Sequence, residues 1–314
     1  MWLILYHFSA IIIGIFLNTL LIFTILKKSP PNIKKYAVMI LNFAITDLLA
    51  TILDGLVMQR LVACGISVVY ISMGPCNWIS SRFCFSLYIL DVHMFTHTIW
   101  ILICSFLYRY YVLIHPELSR LKIQIFITLV YLPSSLILSN IFLNTDSEHD
   151  AFKIMTKSHP EINITGLTLS ATCSIFEIHV MYTIIVVVGL GPPLTITCFI
   201  LRNLIIQKVK VSLNSSDSKK LHLQFIQALT FQACIPVFYV FAGMCYIVQV
   251  FDLITNEYPA DLLFCFAIIV PILNPISSFI YIGPYRKFIG SFFRKQQGLQ
   301  PCLVHPMNIS STIN

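Results

Sequence analysis

Seven long apolar stretches, separated by short polar segments alternately rich and poor in lysine and arginine, take up almost all of this 314-residue chain. They run over about residues 3–26, 37–59, 84–108, 123–143, 178–201, 223–250 and 262–284. Each is long enough for the roughly 20 residues with which a helix, rising about 1.5 Å per residue, crosses about 30 Å of hydrocarbon. Only helices and closed barrels satisfy their backbone groups in lipid, and these runs lack the alternation of barrel strands. The expected fold class is therefore an all-α membrane protein: a seven-transmembrane helix bundle within residues 1–295, then a disordered cytoplasmic tail at 296–314.

Composition excludes a sizeable water-soluble domain, because 57% of residues are hydrophobic and only 11% charged, against about a quarter charged in soluble proteins. The net charge of +7 sits beside membrane segments. It marks sidedness, not a nucleic-acid partner.

Four basic residues follow the first span, three the third, five the fifth and four the seventh, so sixteen of the twenty lie on one face. The other face holds only Arg60, Arg82, Lys153 and Lys157. Positive residues stay cytoplasmic, which places the amino terminus outside and the tail inside. Asn163-Ile164-Thr165, a glycosylation acceptor in the longest outer loop, agrees with that orientation. The first span lacks a basic leader region and is longer than a signal-peptide core, so it is expected to be a retained helix.

Among ten cysteines, none forms a spaced metal or redox motif, and most lie within helices as small apolar residues. Cys76, Cys84 and Cys173 fall on the outer side, where a disulfide persists. Cys84 with Cys173 is the favoured pair; Cys76 with either of them stays open.

Polar residues in hydrocarbon usually face the bundle interior or a water-filled cavity, and depth sorts them into two layers. Asn18, Asp47 and Asn274 fall near the middle of the first, second and seventh spans, where one buried hydrogen-bonded cluster is expected. Asp54 and Asp91 lie nearer the outside, with His93 and His97 slightly deeper on one helix face. These four are the expected ligand-binding residues, with simple packing or solvation as the rival reading. The histidine pair lacks a third metal ligand of suitable spacing, so neither metal nor cofactor is expected.

Arg109 ends the third span, where snorkelling to headgroups is its simplest role. Pro192-Pro193, Pro236 and Pro275 weaken the fifth, sixth and seventh spans and supply bends. Beyond the seventh, Phe288, Ile289, Phe292 and Phe293 make an apolar stripe between basic residues, the pattern of a short amphipathic helix on the inner membrane surface.

Cys84, Asp91 and Arg109, separated by seven and eighteen residues, together with Asn18, Asp47, Pro236 and Asn274-Pro275, resemble the marks of rhodopsin-like G-protein-coupled receptors. Tyr108 departs from that pattern where an acidic residue precedes the arginine, as does Ser278 where a tyrosine follows Asn274-Pro275. Lys27-Lys28-Ser29-Pro30-Pro31-Asn32 with Tyr36, Gly74-Pro75-Cys76, Ser105 to Leu113 and Pro271 to Pro275 resemble, more narrowly, the serpentine receptor class delta family of nematode chemoreceptors. That resemblance implies a plasma-membrane receptor, in sensory cilia, for a small environmental or pheromone-like molecule. It also implies a heterotrimeric G protein as partner, with Arg109, Asp47, Asn18, Asn274, Pro275 and Pro236 in signalling.

The rival class is a multi-span transporter or ligand-gated channel. An odd number of spans, no inverted repeat and the amino-terminus-out charge bias weigh against it. No catalytic motif is evident among Asp47, Asp54, Asp91, His93 and His97, so no enzymatic activity is expected.

Overall fold

A computed structural model describes residues 2–29, 34–116, 118–144, 146–160, 162, 164–212, 227, 230–254 and 258–296. The expected glycosylation site Asn163, the basic connection with Lys219 and Lys220, and the tail beyond Gln296 lie outside the described residues. Six described helices are long and apolar enough to cross a membrane: Trp2–Lys28, Tyr36–Val57, Ser81–Val112, Arg120–Leu143, Thr230–Val250 and Tyr258–Tyr281. A seventh span is formed if Ile178–Gly189 and Gly191–Val209, meeting at 41°, are taken together. They are numbered here as spans one to seven in chain order. "Outer" denotes the end that the charge bias assigns to the outside.

Helical periodicity divides each span between bundle and lipid. On span one, Leu3, His7, Ala10, Gly14, Asn18, Leu21 and Ile25 recur at three- and four-residue intervals and are buried. Leu5, Phe8, Ile12, Phe16 and Phe23 are exposed instead, as suits side chains facing acyl chains. Gly14 lets span two approach closely, since a Cβ there would lie 2.8 Å from Thr51 Cγ2.

Prolines shape the bends. Pro192 and Pro193 carry no backbone N–H and crowd the preceding turn. The helix before them widens into a π-helical turn, Ile185–Gly189, where the Leu190 N–H bonds to the Ile185 carbonyl at 2.9 Å. Pro236 likewise interrupts span six, with the Ile235 N–H bonding back only three residues, to the Gln232 carbonyl at 3.2 Å. After span seven, Gly283 and Pro284 open a separate helix, Gly283–Gln296. Its Phe288 packs on Phe23 at 6.3 Å and under the Lys28 ammonium at 5.3 Å, and its Tyr285 hydroxyl pairs with Ser29 at 2.8 Å.

The outer end departs from all-helical structure. Span two stops at Val57, and Met58 adopts φ 44 before the strand β1, Gln59–Cys64, begins. The expected second span ran to residue 59, so its last residues belong to a hairpin. Strand β2, Ser67–Ser72, pairs antiparallel with β1, and β3, Thr168–Thr172, pairs with β2. Between Cys64 and Ser67 the turn has two residues, and Gly65 at φ 66 supplies the positive φ that such tight hairpins need.

Alternation along these strands serves two layers. Leu61, Val68 and Tyr70 pack down onto the bundle. Val62, Val69, Ile71, Leu169 and Ala171 pack up against Ala151 and Met155 of a surface helix, Glu148–Ser158. A capping box of Ser147 and Asp150 starts that helix. The sheet is thus sandwiched, and it roofs the bundle.

The favoured Cys84–Cys173 disulfide is not formed. Cys84 bonds instead to Cys76, with a Cα separation of 5.2 Å. The 3-10 turn Pro75–Trp78 folds Cys76 over the start of span three. Cys173 is held elsewhere: its N–H donates to Asp146 Oδ2 at 2.7 Å and its carbonyl accepts from Ser67 Oγ at 2.7 Å, both at the end of the sheet. Strand pairing between β2 and β3, not a covalent bond, ties the second outer loop to the roof.

Candidate functional site

A cavity lies under the roof, lined from spans three, five, six and seven, with Asn140 of span four. Leu61, Val68 and Tyr70 close it from above. On span three, Tyr88, Ile89, Val92, Phe95, Thr96 and Ile99 recur at helical spacing and make its wall. The π-helical turn of span five contributes Val187 and Val188, and Val188 packs closely on Gly243 of span six, where a Cβ would lie 3.2 Å from Val188 Cγ1. With Val180, Thr183 and Ile184, the two valines recur at helical spacing and make the wall from span five.

None of the four expected ligand-binding residues lines this cavity. At about 100° per residue, Asp91 lies roughly a quarter-turn from the wall formed by Val92 and Phe95, and His97 lies on the far face. Asp91 is buried within electrostatic reach of Asp54. Asp54 Oδ2 instead meets His7 Nδ1 of span one at 2.7 Å, both side chains fully buried. His97 stacks on Tyr131 of span four, ring centroids 3.4 Å apart, with His93 at 6.2 Å from His97. Asp54 and His97 thus join helices to one another, while Asp91 Oδ1 and both His97 ring nitrogens are buried without a hydrogen-bond partner among the described residues. Among the described residues no group of three or more His, Cys, Asp or Glu is placed to hold a metal ion.

The deeper layer does come together. Asp47 Oδ2 accepts from Asn274 Nδ2 at 2.8 Å, and Oδ1 accepts from Thr98 Oγ1 at 3.1 Å. Spans two, three and seven therefore meet at one carboxyl. Asn18 does not bond to Asp47; its Nδ2 donates to the carbonyls of Gly14 and Pro271, each at 2.9 Å. Pro236 and Pro275 flank this layer on spans six and seven.

Comparison with known proteins fits this architecture. Residues 3–291 match the family model described as "Serpentine type 7TM GPCR chemoreceptor Srd". The chain belongs to that family. Among curated relatives of Caenorhabditis elegans, it is similar to Serpentine receptor class delta-18, 33% identical with 91% of this chain and 87% of the relative covered. Serpentine receptor class delta-3 is 31% identical over 96% and 90% of the two chains. Serpentine receptor class delta-1 is 30% identical over 96% and 86%. The protein is thus a multi-pass, GPCR-like serpentine chemoreceptor.

Two departures of this Srd chain from the broader receptor pattern find structural partners. With Tyr108 in place of an acid, Arg109 turns to span two. Its guanidinium donates to the Tyr36 hydroxyl and lies 4.2 Å from the Tyr36 ring centroid. Tyr36 in turn pairs with Ser105 Oγ at 3.3 Å. Ser278 folds back onto the Asn274 carbonyl at 3.3 Å, while Tyr281 packs against Phe231 of span six with ring centroids 6.0 Å apart.

Sequence reasoning missed the cavity wall and its roof. The roof was signalled by the β-branched and aromatic run Val68-Val69-Tyr70-Ile71 following Gly65. The wall carried no such signal, because most of its residues are as apolar as those facing lipid.

Proposed function

We propose that this receptor binds a small molecule in the roofed cavity and activates a heterotrimeric G protein at the opposite end of the bundle. The observation that carries the reading is the cavity itself, set among spans three to seven beneath the roof. Three of its walls, spans five, six and seven, carry prolines within the helix. A ligand favours one arrangement of such helices only by binding it more tightly than the other.

Between cavity and inner face lie the groups that would transmit the change. Tyr239 of span six lines the cavity one turn after Pro236. The Asp47–Asn274–Thr98 cluster lies deeper, and Arg109 with Tyr36 deeper still. In this reading Asn18, Asp47, Asn274, Pro275, Pro236 and Arg109 serve signalling. Asp54, Asp91, His93 and His97 set helix packing around the cavity. The amino terminus is outside, Asn163 carries a glycan, and the receptor resides in the plasma membrane of sensory cilia.

The test is nucleotide exchange on G proteins by the receptor and by Arg109→Ala at equal surface expression. Loss of exchange in the variant supports the reading, and full retention overturns it. An antibody to a carboxyl-terminal epitope on intact cells checks the orientation. Staining without permeabilisation contradicts it.

A further inference from the structure

Outside the cavity, the outer polar layer holds three buried titratable groups. His7, Asp54 and Asp91, on spans one, two and three, are 0%, 1% and 2% exposed. His7 Nδ1 and Asp54 Oδ2 lie 2.7 Å apart, and Asp91 lies within electrostatic reach of Asp54. His7 Nε2, Asp54 Oδ1 and Asp91 Oδ1 have no hydrogen-bond partner among the described residues. The other groups that face the two acids are hydroxyls and a thiol: Tyr6 and Cys265 beside Asp54, Tyr88 and Tyr239 beside Asp91. Tyr239 also reaches Asp47, whose carboxyl is engaged by Asn274 and Thr98. Arg60, six residues beyond Asp54, binds Asp261 at 2.7 Å. His93 and His97 turn toward Tyr131 of span four. One imidazole thus stands against two carboxyls.

Burial fixes the number of protons this group of side chains carries. A carboxylate taken out of water without a counter-charge is strongly unfavourable, so it keeps its proton or a partner supplies the charge. His7 compensates one carboxyl, as an imidazolium beside a carboxylate or as a neutral ring beside a protonated acid. Both forms carry the same proton count. Asp91 has no second base, and a charge on Asp54 would repel its ionised form. We infer that His7, Asp54 and Asp91 form a proton-binding site, in which two titratable protons shared among three side chains keep the buried layer neutral. Asp54 lies one turn below the roof, its carbonyl accepting from the Met58 N–H at 2.6 Å, so these protons exchange with the outer side. Alkalinity outside removes the Asp91 proton and sets two carboxylates against each other between spans two and three. External acidity is thereby an input to the bundle, separate from the cavity.

The test is infrared spectroscopy of the purified full-length receptor in nanodiscs at neutral pH, where a protonated carboxyl gives a carbonyl stretch distinct from that of a carboxylate. Subtracting the spectrum of Asp91→Asn is expected to leave a protonated-carboxyl band, shifted in heavy water, with no carboxylate band lost. In His7→Leu both carboxyls are expected to be protonated, so that adding Asp54→Asn removes a second such band. Thermal midpoints give another readout. Asn replaces a neutral acid, so Asp91→Asn is expected to be at least as stable as the unaltered receptor at neutral pH. A carboxyl protonated in the folded bundle and ionised on unfolding makes stability fall as pH rises above its unfolded value, about tenfold in the folding equilibrium per pH unit. The midpoint of the unaltered receptor therefore falls from mildly acidic to mildly alkaline pH, and the fall is shallower in Asp91→Asn.

The inference is overturned if Asp91→Asn removes a carboxylate band instead, which is what a sodium ion held between the two acids would produce. It is also overturned if Asp91→Asn fails to fold or is less stable at neutral pH, since that substitution leaves the charge balance intact. A midpoint that follows pH as steeply in Asp91→Asn as in the unaltered receptor contradicts it too, as does an ionised Asp54 in His7→Leu. Should His7→Leu fail to fold, the Asp91→Asn comparison decides alone. Failure here removes the proton site only. The receptor reading stands or falls on Arg109-dependent nucleotide exchange, which none of these measurements involves.

Discussion

Asn18 on span one donates its amide to the carbonyl of Pro271 on span seven at 2.9 Å, the carbonyl that Pro275, four residues on, cannot engage. Proline lacks the N–H that would close that helical bond. A contact between distant parts of the sequence thus replaces a lost backbone bond, and it lets span seven keep its bend without a stranded acceptor.

Asn18→Ala removes the replacement and leaves a buried carbonyl unpaired. The expected destabilisation is about 1–3 kcal/mol, seen as a lower thermal midpoint of the purified receptor. A midpoint equal to that of the unaltered receptor would show that the Pro271 carbonyl finds another donor.

Tyr36 holds Arg109 from span two, in place of the acidic neighbour that this chain lacks. Tyr36→Phe deletes the hydroxyl and keeps the ring beneath the guanidinium. If that hydrogen bond secures the resting arrangement, basal nucleotide exchange rises severalfold in Tyr36→Phe and is absent from the double variant with Arg109→Ala. Unchanged basal exchange in the single variant assigns Tyr36 a packing role alone.

The Cys76–Cys84 bond closes a short loop, with a sequence separation of 8. The loop-entropy relation puts its contribution at about 2–3 kcal/mol. Cys76→Ser, Cys84→Ser and the double variant are expected to lose equal stability, because each breaks the same bond, while Cys173→Ser loses little. Equal losses in Cys84→Ser and Cys173→Ser would restore the pairing that the structure sets aside.

The seven spans were legible because the bilayer imposes one strict rule on length and apolarity, and each run obeys it. The Asp47–Asn274 pairing was legible for a related reason: rare polar groups at one depth in hydrocarbon tend to find one another. Other features depend on variables that no single segment carries. The face presented by Asp91 depends on the rotation of span three about its own axis. The partner of Cys84 depends on how the 3-10 turn Pro75–Trp78 folds back. The roof was visible in the pattern around Gly65, but the apolar run through residue 59 concealed where helix gave way to strand. The cavity wall was hidden because Val92 and Phe95 differ from lipid-facing residues only in position.

Cys173 offers a test of both orientation and environment. It is partly buried at the end of the outer sheet, and burial, with the Asp146 carboxyl beside it, pushes its thiol from 9.0 up to about 12. The thiolate is the reactive form, so a raised value means slow alkylation at neutral pH. Below that value the thiolate fraction, and the labelling rate with it, gains about tenfold per pH unit. A membrane-impermeant maleimide on intact cells is therefore expected to label the receptor slowly at neutral pH. In short exposures of purified receptor whose Cys234, Cys245 and Cys302 are replaced by serine, the rate should still be climbing beyond pH 9, where an unperturbed thiol levels off. Adding Cys173→Ser to that background abolishes the labelling, since Cys64, the other described free cysteine of the roof, is buried. A plateau near pH 9 contradicts the burial, and labelling only after permeabilisation places the roof on the cytoplasmic side.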